Sequence, residues 1–157
     1  MKHTIQALVE NRFGVLARIA SLFSARGYNI DSLAVAETQD PTVSCITMVV
    51  NAEDERVLEQ IKKQLNKLID VIKVVDLTKK EYIDRELLLI KVNNTSLTQK
   101  KVKELKKDLE LKILEENEDY LIIEFLGDHN QVRHLLSSLE DVEIRELVRT
   151  GKIAITK

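Results

Sequence analysis

Two α+β units, each a βαββαβ arrangement with two helices on one face of an antiparallel four-stranded sheet, are what this sequence predicts. Three observations carry that expectation. The 157 residues suit two domains of roughly 75 residues or a single larger one. Apolar residues alternate with polar ones in some segments and recur at helical spacing in others. That order of elements runs through twice, on either side of the short polar stretch "TKKEY".

In the first half, Ile5, Ala7 and Val9 alternate with polar Thr4 and Gln6, a strand period. Val15, Ile19, Leu22 and Phe23 follow at i, i+4, i+7 and i+8, giving a helix one apolar face. Gly27 is placed to end that helix in the left-handed conformation. "NIDSLAVAET" reads as a strand, "QDPT" as a turn in which Pro41 fixes φ, and "VSCITMVVN" as another strand. Asn51 or Asp54 can cap the next helix, whose Leu58, Ile61, Leu65 and Leu68 form a stripe before the strand "DVIKVVDL". The second half repeats the order with little identity. "RELLLIKV" is a strand, and Ser96 or Thr98 starts a helix bearing Val102, Leu105 and Leu109. The strands "LKILEE" and "DYLIIEFL" come next, then a helix face of Val132, Leu135, Leu136 and Leu139. "VEIRELVR" closes the unit, with a short "KIAIT" after Gly151. The expected boundaries are residues 1–77, a linker over 78–82 and a second ferredoxin-like domain over 83–157. Ile46, Met48 and Val50 are expected on the sheet face away from the helices if Val43 and Cys45 point the other way. A sheet apolar on both sides needs a second layer, so a homodimer or a docked partner is expected.

Composition narrows the function. Apolar residues make up 44% and charged ones 32%, the balance of a folded globular chain. A net charge of −2 leaves no footprint for nucleic acid or an acidic membrane. RNA recognition on this kind of sheet needs aromatics to stack bases, and here the strands are aliphatic in a chain with three Tyr and three Phe. The first residues enter a strand at once and no apolar run approaches a membrane span, so a cytoplasmic protein is expected. The one cysteine, Cys45, lies in a strand and reads as a small hydrophobe. His129 and His134 are five apart, off the spacing that aims two ligands one way, so no metal site is expected. "QKKVKELKK" followed by "EENED" reads as solvated faces, with contact to a large partner as the alternative. No nucleophile–base pair or phosphate loop is present, so no catalytic residue is assigned.

What stands out is the pair of segments flanking the first helix. A helix's first turn leaves N–H groups unpaired and carries about half a positive charge, which suits a carboxylate. Gly14 has no Cβ to obstruct an approach, and Asn11 offers an amide that can serve a carboxylate or an ammonium. Asn29 supplies a second amide from the sheet side. This reads as a pocket for a small zwitterion with aliphatic walls. Gly and Asn also populate turns, so spacing alone favours Asn11 as a turn residue, Gly14 as relief in a tight loop and Asn29 as a cap on the Gly27 turn.

The run "LVENRFGVLARIASLFSARGYNIDSLAVAETQDPTVSCITMVV", with "RELLLIKV" and the closing "ELVRTGKIAITK", resembles the small regulatory subunits of acetolactate (acetohydroxyacid) synthase, which open with an ACT domain. The likeness covers essentially the whole chain and is sharpest at Gly14-Val15-Leu16-Ala17-Arg18 and Arg26-Gly27-Tyr28-Asn29-Ile30. It implies a chain without catalysis of its own that activates the large catalytic subunit and confers feedback inhibition by valine or a related branched-chain amino acid. It further implies a homodimer through the ACT domains, with effector between them at Asn11, Phe13, Gly14, Val15 and Leu16 of one copy and Asn29 and Ile30 across the interface. Thiamine diphosphate, Mg²⁺ and FAD are expected in the catalytic partner and not on this chain. Phe13 stands where such subunits usually carry a smaller residue or proline, and Cys45 where Arg is common. The alternative is a free-standing ACT-domain sensor acting on another enzyme or regulator.

Overall fold

The computed structural model describes residues Met1–Lys157. Its elements, in chain order, are β1 (Lys2–Glu10), α1 (Val15–Ser24), β2 (Ile30–Glu37), β3 (Val43–Asn51), α2 (Glu55–Asn66) and β4 (Val71–Asp76). They continue with β5 (Tyr82–Asn93), α3 (Ser96–Leu105), β6 (Leu111–Glu116), β7 (Tyr120–Gly127), α4 (His129–Ser138), β8 (Ile144–Arg149) and β9 (Ile153–Thr156). The βαββαβ order is therefore present twice. Two compact units result: Met1–Ile83 together with Lys152–Lys157, and Asp84–Gly151. The closing strand, expected in the second domain, thus groups with the first unit.

In the first unit the strands lie in the order β2-β3-β1-β4, all antiparallel. Alternate residues of β1 and β3 meet the two helices: Ile5, Ala7, Val9, Ile46, Met48 and Val50 join Val15, Ile19, Leu22, Phe23, Leu58, Ile61 and Leu65 in one core. Full burial of each such large side chain contributes roughly 1.5–3 kcal/mol. The apolar periodicity of α1 and α2 thus marks their buried faces as expected. The expected parity of β3 is corrected, however. Ile46, Met48 and Val50 face the helices because Ala7 pairs with Ile46 and Ile5 with Met48, and paired residues share a side. "VSCITMVV" is apolar at both parities, so only its partner strand fixes which set turns inward.

The opposite face carries Gln6, Cys45, Thr47 and Val49, with Ser32 and Ala34 on the neighbouring strand. Part of it is met by the unit's own C-terminus. Gln6 Nε2 donates to the Ala154 carbonyl at 2.9 Å, and the Lys152 N–H donates to Ser32 Oγ at 3.0 Å. β9 pairs with β5, and the Lys157 N–H donates to the Glu81 carbonyl at 3.1 Å.

His3 sits on the helix side of β1, opposite Val50, at 6% exposure. Both ring nitrogens are buried without a hydrogen-bond partner. A buried polar group left unsatisfied costs roughly 1–3 kcal/mol. His3→Leu is therefore expected to stabilise the chain by about 1 kcal/mol, read as a higher urea midpoint at unchanged slope. A lower midpoint would show that the ring has a role this packing does not reveal.

The second unit has the strand order β6-β7-β5-β8. Its core joins Leu88, Ile90 and Val92 of β5 with Leu121, Ile123 and Phe125 of β7 and the inner faces of α3 and α4. α3 starts at Ser96, as expected, and is capped by Thr95, whose hydroxyl accepts the Thr98 N–H at 3.2 Å. Ser96 is already inside the first turn. α4 carries a reciprocal capping box between Asp128 and Gln131, and Asp54 caps α2.

Candidate functional site

The site is built where β1 ends. The Asn11 N–H donates to the Thr42 carbonyl at 2.7 Å and its Nδ2 donates to the Pro41 carbonyl at 2.8 Å. These bonds tie the loop before α1 to the β2–β3 turn. Asn11's amide nitrogen is thus committed to structure, and its Oδ1 is the atom left to accept from a ligand.

Gly14 then stands at the N-cap of α1 with φ +81° and ψ −4°. That left-handed conformation suits glycine, and it turns the cap residue away from the extended geometry in which a side chain reaches back to the helix. α1 has no side-chain cap, whereas α2, α3 and α4 each have one. The Val15 N–H reaches the Arg12 carbonyl at 3.4 Å; the N–H groups of Leu16 and Ala17 meet no acceptor. Two donors at the positive end of a helix are therefore left open.

Around this opening, Phe13 is fully exposed and Leu16 is 42% exposed, so both are available as apolar walls. Val15 differs: its side chain lies in the core, leaving only its backbone at the site. Arg18, one turn further on, is not among the site residues the sequence points to. Its Nε and Nη2 hold Asp70 Oδ2 at 2.9 and 2.7 Å, and Asp70 is almost wholly buried. This pair braces α1 against the chain leading into β4. Its partners are far apart in sequence, so nothing local signals it.

Asn29 and Ile30 lie at the opposite end of α1, about 15 Å along the axis for a ten-residue helix. Within one chain they do not join Asn11 and Gly14. Asn29 Nδ2 donates to Asp31 Oδ1 at 2.6 Å, and Ile30 packs half-buried on the core. Hydrogen bonding from Lys2, then from Asn29, holds the Asp31 carboxyl below the usual carboxylate range. Gly27, at φ +68°, ends α1 as its position predicts. Cys45 is half-buried, and that burial pushes its thiol up, against hydrogen bonds from Gln6 and Thr47. A thiol raised in this way is a poor nucleophile. No helix is long and apolar enough to cross a membrane.

The first unit, a βαββαβ domain with an uncapped, glycine-led helix N-terminus, is of the ACT type, and a second unit of the same order follows it. The pattern described as "AHAS small subunit-like ACT domain" matches residues 5–73, and that described as "Small subunit of acetolactate synthase" matches residues 85–157. The chain belongs to the acetolactate synthase small subunits. It is 43% identical over 157 residues to the "Probable acetolactate synthase small subunit" of Archaeoglobus fulgidus, covering 100% of this chain and 98% of that one. It is 39% identical to the "Acetolactate synthase small subunit" of Bacillus subtilis, covering 100% and 91%. Among solved structures, the acetolactate synthase small subunit of Thermotoga maritima superposes with a TM-score of 0.84 at 32% identity, covering 100% of this chain and 98% of that one.

Proposed function

We propose that this chain is the regulatory subunit that activates the catalytic large subunit of acetolactate synthase and imposes feedback inhibition by valine or a related branched-chain amino acid. The observation that carries the reading is the open first turn of α1. Leu16 and Ala17 offer their N–H groups to the effector carboxylate, where the helix dipole also favours negative charge. Asn11 Oδ1 accepts from the ammonium, and Phe13 and Leu16 border the aliphatic side chain.

Asn29 and Ile30 complete the pocket from a second copy of the chain, since their own copy holds them at the far end of α1. β2 is an edge strand of its sheet, with Leu33 and Val35 about two-fifths exposed, which supports pairing of two first units along it. Feedback then means that the effector binds one arrangement of the paired units more tightly than another. A coupling of about 1–3 kcal/mol is enough for such a switch. Thiamine diphosphate, Mg²⁺ and FAD belong to the catalytic partner in this reading.

The test is to titrate the chain into purified acetolactate synthase large subunit and follow acetolactate formation with valine, leucine and isoleucine in turn. A rise in rate, reversed by one of the three, is expected. An unchanged rate would instead favour a free-standing sensor, and sedimentation as a monomer at micromolar concentration would remove the shared pocket.

A further inference from the structure

Between α1 and α2, on the helix side of the first unit, runs an open groove of about 560 Å³. Its apolar lining comes from Ala17, Leu22 and Leu68. Three cations rim it, Arg18, Arg26 and Lys67, and none of its lining residues is acidic. Arg18 is already matched by Asp70, and Arg26 Nη2 donates to the neutral Gln64 Oε1 at 2.9 Å. The Lys67 ammonium has neither an ion-pair nor a hydrogen-bond partner. The groove is thus short of negative charge by the unmatched pair Arg26 and Lys67.

The helix forming one wall is unusual too. α1 carries a single charge in ten residues, Arg18, and its other exposed positions are Leu16, Ala17, Ala20, Ser21 and Ser24. α2, across the groove, is by contrast coated with Glu and Lys. Small residues let another backbone come close, and the two rim cations without an acidic partner are Arg26, just beyond the end of α1, and Lys67, at the C-cap of α2. An amphipathic helix with acidic residues along one edge presents carboxylates to those cations with its apolar side toward Ala17 and Leu68.

We infer that this groove is the docking site for an acidic amphipathic helix of the catalytic partner. The inference rests on the regulatory-subunit reading and adds to it the place and chemistry of the contact; the groove shares Gly14 and Ala17 with the effector turn, and the tested residues Ser21 and Lys67 lie outside that turn.

Two substitutions test it on the full chain. Lys67→Glu reverses the unpaired rim cation, and Ser21→Trp fills the floor without touching charge; Arg133→Glu, an exposed position on α4, is the matched control. Association with the large subunit is measured by sedimentation velocity at low and moderate salt, and effector binding by calorimetry with valine. The expected result is at least tenfold weaker association for both groove variants, a wild-type association that weakens with salt, and unchanged valine binding and melting temperature. Groove variants that associate like wild type overturn the docking site and leave the regulatory reading intact. Variants that instead lose self-association show that the occupant is a second copy, and also overturn it. A wild-type chain that does not associate at all overturns both.

Discussion

Gly14→Asp is expected to abolish the effector response while leaving association with the large subunit intact. At φ +81° any side chain is strained, by roughly 1–2 kcal/mol, although Asp and Asn tolerate that region better than most residues. Space is not the obstacle, because a Cβ there meets only the end of the Arg18 side chain, at 3.1 Å. Charge is. The new carboxylate sits beside the open N–H groups of Leu16 and Ala17 and within reach of Arg18, so it occupies or repels the position an incoming carboxylate needs. Valine affinity should fall at least 100-fold, about 2.7 kcal/mol. Gly14→Asn carries the same backbone strain without the charge, and should keep affinity within about tenfold, 1.4 kcal/mol. Calorimetric titration of both variants decides the matter. If Gly14→Asp takes up valine like wild type, the helix end does not hold the carboxylate.

That prediction depends on a feature readable before any coordinates: a glycine between an Asn-containing loop and the first apolar residue of a helix. Most of the architecture was equally readable. Helical spacing marks one face per helix, and the four buried positions of α1 are Val15, Ile19, Leu22 and Phe23 as that spacing requires. Legibility fails where the determinant lies elsewhere in the chain. β3 is apolar at both parities, so its inward set is chosen by β1. The last strand carries no mark of which unit it joins; Gln6 and Ser32 decide that through hydrogen bonds to residues far along the chain. At the site, Val15 follows Gly14 directly, yet helical geometry turns its side chain into the core. Arg18 and Asp70 meet only in three dimensions. Asn29 is the limiting case: a single chain places it at the end of α1 opposite Gly14, so the proposed shared pocket requires a second copy.

The largest stability effect is expected at Arg149→Ala, a loss of about 3 kcal/mol in the second unit. Arg149 clamps Glu86 with two parallel bonds, Nε to Oε1 at 2.7 Å and Nη2 to Oε2 at 2.8 Å. The two ends are unequal: the Glu86 side chain is 7% exposed and that of Arg149 is 42%. Removing the arginine therefore strands a carboxylate away from water, whereas removing the glutamate leaves a cation that can turn to solvent. The arginine's own exposure keeps the loss at the low end of the range for broken buried pairs. The effect is large at this end of the strand because the other side-chain anchor of β8, Arg145 with Asn93 and the Asp119 carbonyl, is at its opposite end. All six residues of β8 are exposed, so apolar burial contributes little, and the ion pair joins the backbone ladder to β5 as its anchor. Replacing both partners, Glu86→Leu with Arg149→Leu, should recover most of the loss, since no charge is then left buried. Native-state hydrogen exchange at Leu88 and Ile90, whose strand β5 borders β8, reads the second unit separately from the first. Faster exchange in Arg149→Ala and near-normal exchange in the double variant is the expected pattern. Equal exchange in all three chains would mean that the ladder alone secures the edge.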